Sequence, residues 1–175
     1  MKENLCVPLW PLRLKDMTLA LGIDPGTATT GYGLVRLLPD GGLAAVSYGV
    51  ISTSKDSSAQ ARLESLYNEL RSLIKKHKPE TAAVEKLFFQ RNVTTAIAVG
   101  QARGVVMLAL QQAGIEAFEY TPNEIKQAVA GYGSADKRQI QEMVRALLQL
   151  EEIPKPDDAA DALAVAITHL NTTRY

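Results

Sequence analysis

The sequence predicts an α/β fold in which a mixed sheet is covered by helices. Three observations predict it. From Met17 onward, three strand-like segments follow one another before any helical period appears. Helices and strands then alternate, and the chain closes on helices. With 175 residues, 46% of them hydrophobic, the chain suits one domain with a full-sized core.

The elements read in order as follows. Leu19 to Ile23 is a short apolar strand, and Asp24-Pro25-Gly26 after it is a turn signal. Gly31 to Leu37 and Leu43 to Ser52 read as the second and third strands. Leu63, Leu66, Tyr67, Leu70, Leu73 and Ile74 recur at helical spacing, so residues 60–76 predict an amphipathic helix. Thr81 to Val84 predicts a buried strand ending at Glu85. Residues 93–113 predict a long helix with Asn92 in N-cap position. Ile115 to Tyr120 is the last strand. Thr121-Pro122-Asn123-Glu124 has the layout of a capping box with proline at the first helical position, and the helix it opens should end near Gly131. A helix from about Ala135 to Leu150 turns Ile140, Met143, Val144, Leu147 and Leu148 inward. The final helix starts near Asp158 and is rich in alanine.

Composition narrows the class. No apolar run approaches the roughly 20 residues of a membrane helix. The single cysteine, Cys6, has no partner for an internal disulfide, and with no signal peptide a reducing cytoplasm is expected. Basic and acidic residues balance at 19 each. A nucleic-acid-binding domain is often strongly basic, but a site that gathers carboxylates to hold metal offsets a basic surface elsewhere. Residues 1–16, with Val7-Pro8-Leu9-Trp10-Pro11-Leu12, carry two prolines and no clear period. They read as a dispensable leader, with the folded domain spanning 17–175.

The informative feature is acids placed among apolar residues. Asp24 ends the strand Leu-Ala-Leu-Gly-Ile, and Glu85 ends the strand Ala-Ala-Val. Asp158 and Asp161 stand at i and i+3 on the last helix and share a face. Taken singly, each has a plainer role. Asp24 before Pro-Gly suits a turn, Glu85 a surface charge, and Asp157 an N-cap, a duty Asp158 could share. Asp161, inside an Ala-Leu run, is the hardest to explain that way, because a core-facing helix position rarely carries an unpaired acid. Ionised carboxylates near a core are costly unless paired or coordinating a cation. If the four converge, hard oxygen ligands suit Mg²⁺, and two such ions would assist phosphodiester hydrolysis, with Mn²⁺ as a substitute.

Gly22-Ile23-Asp24-Pro25-Gly26 followed by Thr30-Gly31-Tyr32-Gly33 resembles the opening of the RuvC family of Holliday-junction resolvases. Val84-Glu85-Lys86-Leu87-Phe88-Phe89 with Asn92, then Gly100-Gln101-Ala102-Arg103-Gly104, resemble its next segments. Tyr120, Lys126-Gln127 and Gly131 through Lys137 resemble its basic segment. Asp158-Ala159-Ala160-Asp161-Ala162-Leu163-Ala164 and Ile167-Thr168-His169 resemble its final helix. The match runs in order over residues 17–170, and its joint signal is highly specific. It implies an RNase H-like nuclease domain with a central five-stranded mixed sheet flanked by helices. It implies a metal-dependent, Mg²⁺-using endonuclease with Asp24, Glu85, Asp158 and Asp161 as catalytic metal ligands. It also implies a homodimer that nicks opposed strands of four-way junction DNA symmetrically in recombination and repair, a preference for thymine-rich sites, and cooperation with the RuvA–RuvB complex. Asp157 departs from the pattern as an extra acid beside Asp158; Asp158 is taken as the ligand.

Further candidates surround these acids. Phe88 and Phe89 follow the strand end, where both cannot easily be buried, and an exposed ring could stack on an unpaired base; the resemblance favours Phe88. Lys126 and Lys137, near Gly131–Gly133, make a backbone-binding pair, with Arg138 and Arg91 as further cations near DNA. Lysines are more often solvated, Arg91 and Arg103 would also suit a surface or interface, and His169 reads as buried and structural, with proton transfer as its other option. The long helix at 93–113 is more apolar than one face of a surface helix requires, and Gly100 and Gly104 lie one turn apart. Composition alone fits equally a helix buried within one subunit. It is the resemblance, with the two-fold symmetry of a junction, that implies a dimer interface here, with Val106 or Leu110, whichever faces outward, toward the partner. Two other families share features: the RuvX (YqgF-like) nucleases, which lack the match at Lys126 and Gly131–Lys137, and actin-like ATPases, which share an Asp-Gly-Thr-type hairpin but need a second domain.

Overall fold

The computed structural model describes residues 18–26, 28–86 and 93–173, of which 93–95 are described as backbone. The elements are β1 (Leu19–Asp24), β2 (Thr29–Leu37), β3 (Leu43–Ser52), α1 (Ala59–His77), β4 (Thr81–Glu85), α2 (Val93–Gln112), β5 (Ala117–Tyr120), α3 (Pro122–Ala130), α4 (Lys137–Leu147) and α5 (Asp157–Thr172). The strands form one five-stranded sheet in the order β3-β2-β1-β4-β5. β1, β2 and β3 make an antiparallel meander, and β4 and β5 add in parallel to β1. The sheet is mixed, as the order of elements predicts.

Strand alternation sorts side chains onto two faces. Leu19, Leu21, Ile23, Ala82 and Val84 pack against Leu66, Leu70 and Ile74 of α1 and Ala102, Val106, Ala109 and Leu110 of α2. Ala20, Val35 and Ala83 point the other way, into a core built from α3, α4 and α5. Gly22, Asp24 and Glu85 therefore belong to the α5 side, by the two-residue period of their strands.

On that side the sheet has almost no side chains near its centre. A Cβ placed on Gly22 would stand 2.1 Å from the Ala162 carbonyl oxygen, and one on Gly31 2.0 Å from that of Asp158. Helix α5 thus lies backbone-close on β1 and β2. Its own alanines, Ala159, Ala160, Ala162, Ala164 and Ala166, are all buried. The alanine-rich stretch is the helical half of a contact whose other half is glycine.

Element ends follow local chemistry. Thr121 caps α3 with the predicted reciprocal box to Glu124, and Gly131 ends it in the left-handed region. α4 is shorter than its predicted span: Asp136 accepts from the Gln139 amide as N-cap, and Gln149 at φ 52 turns the chain away. Ile115 does not open β5. Its amide bonds the Leu110 carbonyl oxygen and closes α2 after Gly114. Asp157 is the first helical residue of α5 rather than its cap, which is Pro156. Two acids in that first turn favour the positive end of the helix dipole.

Candidate active site

Asp24 and Glu85 end adjacent strands. β1 and β4 are parallel with Ile23 opposite Val84, so the next residue on each strand puts a carboxyl on the same face of the sheet. Asp24 also pairs across β1–β2 with Gly31, the residue over which α5 passes at Asp158. Asp158 and Asp161, three residues apart on α5, turn toward that edge. Carboxylate oxygens of Asp24, Asp158 and Asp161 lie within 4.8 Å of one another. Glu85 completes the group by sharing a side-chain hydrogen bond with Asp24.

The electrostatics are those of crowded, half-buried acids. Burial, then the charges of Glu85, Asp161 and Asp158, push the Asp24 carboxyl up to about 8. Burial raises Glu85, while the Asp24 hydrogen bond and Lys137 oppose the rise. Asp161 is raised by burial against the pull of Lys137. Such a set resists holding several negative charges by itself and fits a hard divalent cation, whose charge offsets the repulsion and whose ligands are oxygens.

Asp158 and Asp157 part company here. Asp158 Oδ2 accepts a 2.6 Å hydrogen bond from Thr29 Oγ1 and stands within the acidic group. Asp157 is exposed and turned toward α4, where Lys137 Nζ lies 3.2 Å from its Oδ2 and Gln141 Nε2 donates to its Oδ1 at 3.1 Å. Adjacent helical residues differ by about 100° around the axis, so only one of the two can face Asp24. Lys137 Nζ also sits 3.1 Å from Asp161 Oδ2.

Lys126 and Lys137 line one cleft with Glu85, Asp161, Pro122 and Ile140. Arg138 does not join them: it lies on the outer side of α4, in a separate groove with Tyr132 and Arg145. Arg103 forms an ion pair with Glu119 of β5, which ties α2 to the sheet edge. His169 is buried between Thr81 Oγ1, 2.7 Å from its Nε2, and Tyr120 Oη, 2.9 Å from its Nδ1. Burial lowers it to about 4, so it stays neutral and braces α5 against β4 and β5. It stands eight residues beyond Asp161 on α5, roughly 12 Å along the axis. Residues 1–16, Phe88, Phe89, Arg91 and Asn92 lie outside the described residues.

Two contributors are not evident from the sequence. Thr29 holds Asp158, and nothing in its surroundings marks it. Gly31 is visible only as part of a motif. Its alternation with Gly33 on one strand, opposite an alanine-rich helix, is the available signal of close helix–sheet contact.

On α2, Val106 and Leu110 are fully buried against the sheet and do not face outward as expected of an interface. The outward apolar residues are Ile97, 60% exposed, and Leu108, 51% exposed. Gly100 and Gly104 lie between them with open space above their Cα atoms.

A mixed five-stranded sheet bearing a cluster of acids from β1, β4 and α5 defines an RNase H-like nuclease. The family model for the crossover junction endodeoxyribonuclease RuvC matches residues 20–169. The RuvC protein of Roseiflexus sp. (strain RS-1) is 60% identical over 152 residues, which covers 87% of this chain and 90% of the relative. The structure of Thermus thermophilus RuvC superposes with a TM-score of 0.84 at 36% identity, over 90% of this chain and 96% of that one. T. thermophilus RuvC in complex with a Holliday junction substrate gives 0.82 at 34% identity, with the same coverage. The chain belongs to the RuvC family, and with it to the endodeoxyribonucleases that resolve Holliday junctions.

Proposed function

We propose that this chain resolves four-way DNA junctions by paired, symmetric, Mg²⁺-dependent hydrolysis of two opposed strands, with Asp24, Glu85, Asp158 and Asp161 as the cation ligands. The observation that carries this reading is the convergence of four carboxyls, from two strand ends and one helix, at a half-buried edge. Bound there, Mg²⁺ supplies Lewis-acid polarisation of the scissile phosphate and activates water. The chain's own residues do the rest. Asp24 and Glu85, fixed by strand register, hold the base of the site. Thr29 keeps the Asp158 carboxylate oriented by donating to its Oδ2. Lys126 and Lys137, across the cleft, attract and seat the phosphate backbone. Phe88 is the proposed base-stacking residue, with Phe89, Arg91 and, on the outer side of α4, Arg138 as auxiliary DNA contacts.

The active form is proposed to be a C₂ homodimer, because a single site would leave one strand of the junction intact. The Ile97–Gly100–Gly104–Leu108 face of α2 supports this: it is apolar, exposed and flat enough for a second helix to approach closely. Cooperation with RuvA–RuvB, residence in the cytoplasm and a dispensable segment at 1–16 preceding a 17–175 domain complete the proposal. No helix among the described residues is long and apolar enough to cross a membrane. The test is incubation of the protein with a labelled synthetic four-way junction and Mg²⁺, with linear duplex as control. Symmetric nicks in the junction alone are expected; equal cutting of both DNAs, or cutting unaffected by chelator, would refute the reading.

A further inference from the structure

The ammonium of Lys137 has two seats. It lies 3.1 Å from Asp161 Oδ2, inside the acidic group, and 3.2 Å from Asp157 Oδ2, outside it. Its position is set from both sides. Lys137 is the first residue of α4, whose start is fixed by the Asp136–Gln139 capping box. Asp157 opens α5, and Gln141, one turn along α4, donates to its other oxygen. Asp157 is therefore not a loose surface acid. Its two carboxylate oxygens are engaged by two residues of the same helix face.

A divalent cation held by the cluster and the Lys137 ammonium would both claim the Asp161 oxygen, and their charges repel. Lys137 must then leave Asp161, and with Asp157 present it need not go into solvent. We propose that Asp157 is a positioning residue: it draws Lys137 off Asp161 as the cation enters and keeps the ammonium at the mouth of the cleft. Lys137 thereby stops competing for a ligand oxygen yet stays beside the Lys126–Glu85 side, where a phosphate would arrive. The extra acid of the Asp157–Asp158 pair has a role distinct from its neighbour's. The proposal rests on the reading of the acidic group as a divalent-cation site.

The experiment is a titration of the 175-residue chain with Mn²⁺, read by the electron paramagnetic resonance of the free ion, with no DNA and no turnover. Lys137→Met removes the competing ammonium and should tighten Mn²⁺ binding. Asp157→Asn keeps shape but removes the outer seat and should weaken binding by about two- to fivefold, the range an exposed ion pair supports. Asp157→Glu should restore most of that loss. In the Lys137→Met background, Asp157→Asn should have clearly less effect than in the wild type, which is the coupling a double-mutant cycle isolates. Asp24→Asn serves as the control for the site itself. Should the wild type bind no Mn²⁺, or Asp24→Asn bind it equally well, the cation-site reading falls and the proposal with it. Should the wild type bind and Asp24→Asn not, while Asp157→Asn has no effect or the same effect in both backgrounds, the proposal alone is overturned. If Asp157→Asn fails to fold, Asp157→Ser takes its place in both backgrounds, and the same results support or overturn the proposal.

Discussion

Gly31 and Asp158 are in backbone contact: a Cβ on Gly31 would stand 2.0 Å from the Asp158 carbonyl oxygen. The acidic group depends on this contact, because Gly31 pairs with Asp24 across β1 and β2 while Asp158 sits directly above. Gly31→Ala has no room for its methyl group. It should push the first turn of α5 away from the sheet and separate Asp158 from Asp24. Overpacking of this kind typically costs about 1–3 kcal/mol, so a lower melting temperature is expected. Junction cleavage should fall by more than the unfolded fraction explains. A variant with wild-type cleavage and stability would show that α5 tolerates displacement.

Asp24 carries the steepest pH dependence. Its carboxyl, pushed from an ordinary 3.8 to about 8, stays protonated in the metal-free fold where the unfolded chain has lost the proton. The corresponding stability is fully present below about pH 4 and is lost as pH rises toward 8. Metal-free protein should therefore lose stability from Asp24 between about pH 4 and pH 8, and Mg²⁺ should restore it. Asp24→Asn removes this dependence. It should melt at a higher temperature than the wild type near pH 8 in chelator, while abolishing cleavage and retaining junction binding. Thermal melts across pH with and without Mg²⁺ check the first claim, and cleavage and gel-shift assays the second. A flat metal-free pH profile in the wild type would contradict the crowding described for this site.

Thr29 orients Asp158 through a 2.6 Å hydrogen bond. Thr29→Val is near-isosteric and removes the donor. A hydrogen bond to a charged group contributes about 1.5–3 kcal/mol, so a cleavage defect of about tenfold or more is expected with little change in junction affinity. Thr29→Ser keeps the hydroxyl and should cleave nearly as well as the wild type. Equal activity of the Val and Ser variants would remove Thr29 from the site.

The outer face of α2 predicts oligomeric state. Leu108→Glu and Ile97→Glu place charge on exposed apolar positions and should give folded monomers, visible by sedimentation equilibrium, that fail in paired incision. Val106→Glu and Leu110→Glu instead bury a charge against the sheet and should unfold the subunit. A folded dimer of Leu108→Glu with normal paired cutting would move the interface elsewhere.

The sequence by itself determined the strands, the helices and the chemistry available to them. Hydrophobic period marked β3 and α1 closely, and the Thr121–Glu124 box placed the start of α3, because these features are local: side-chain spacing and capping act within one or two turns. Local signals also put acids at the ends of β1 and β4 and on one face of α5. The element ends that differ from expectation, at Ile115 and at Lys137–Leu147, are decided by hydrogen bonds and a left-handed residue that hydropathy does not register. Only the tertiary structure decided which acids meet. The choice between Asp157 and Asp158 turns on the rotation of α5 over Gly31, and the outward face of α2 on which of its many apolar residues the sheet had already covered. Both are outcomes of packing between segments distant in the chain. A sequence holds the residue types for such contacts, but the rotation of a helix about its axis is fixed only when its neighbours are in place.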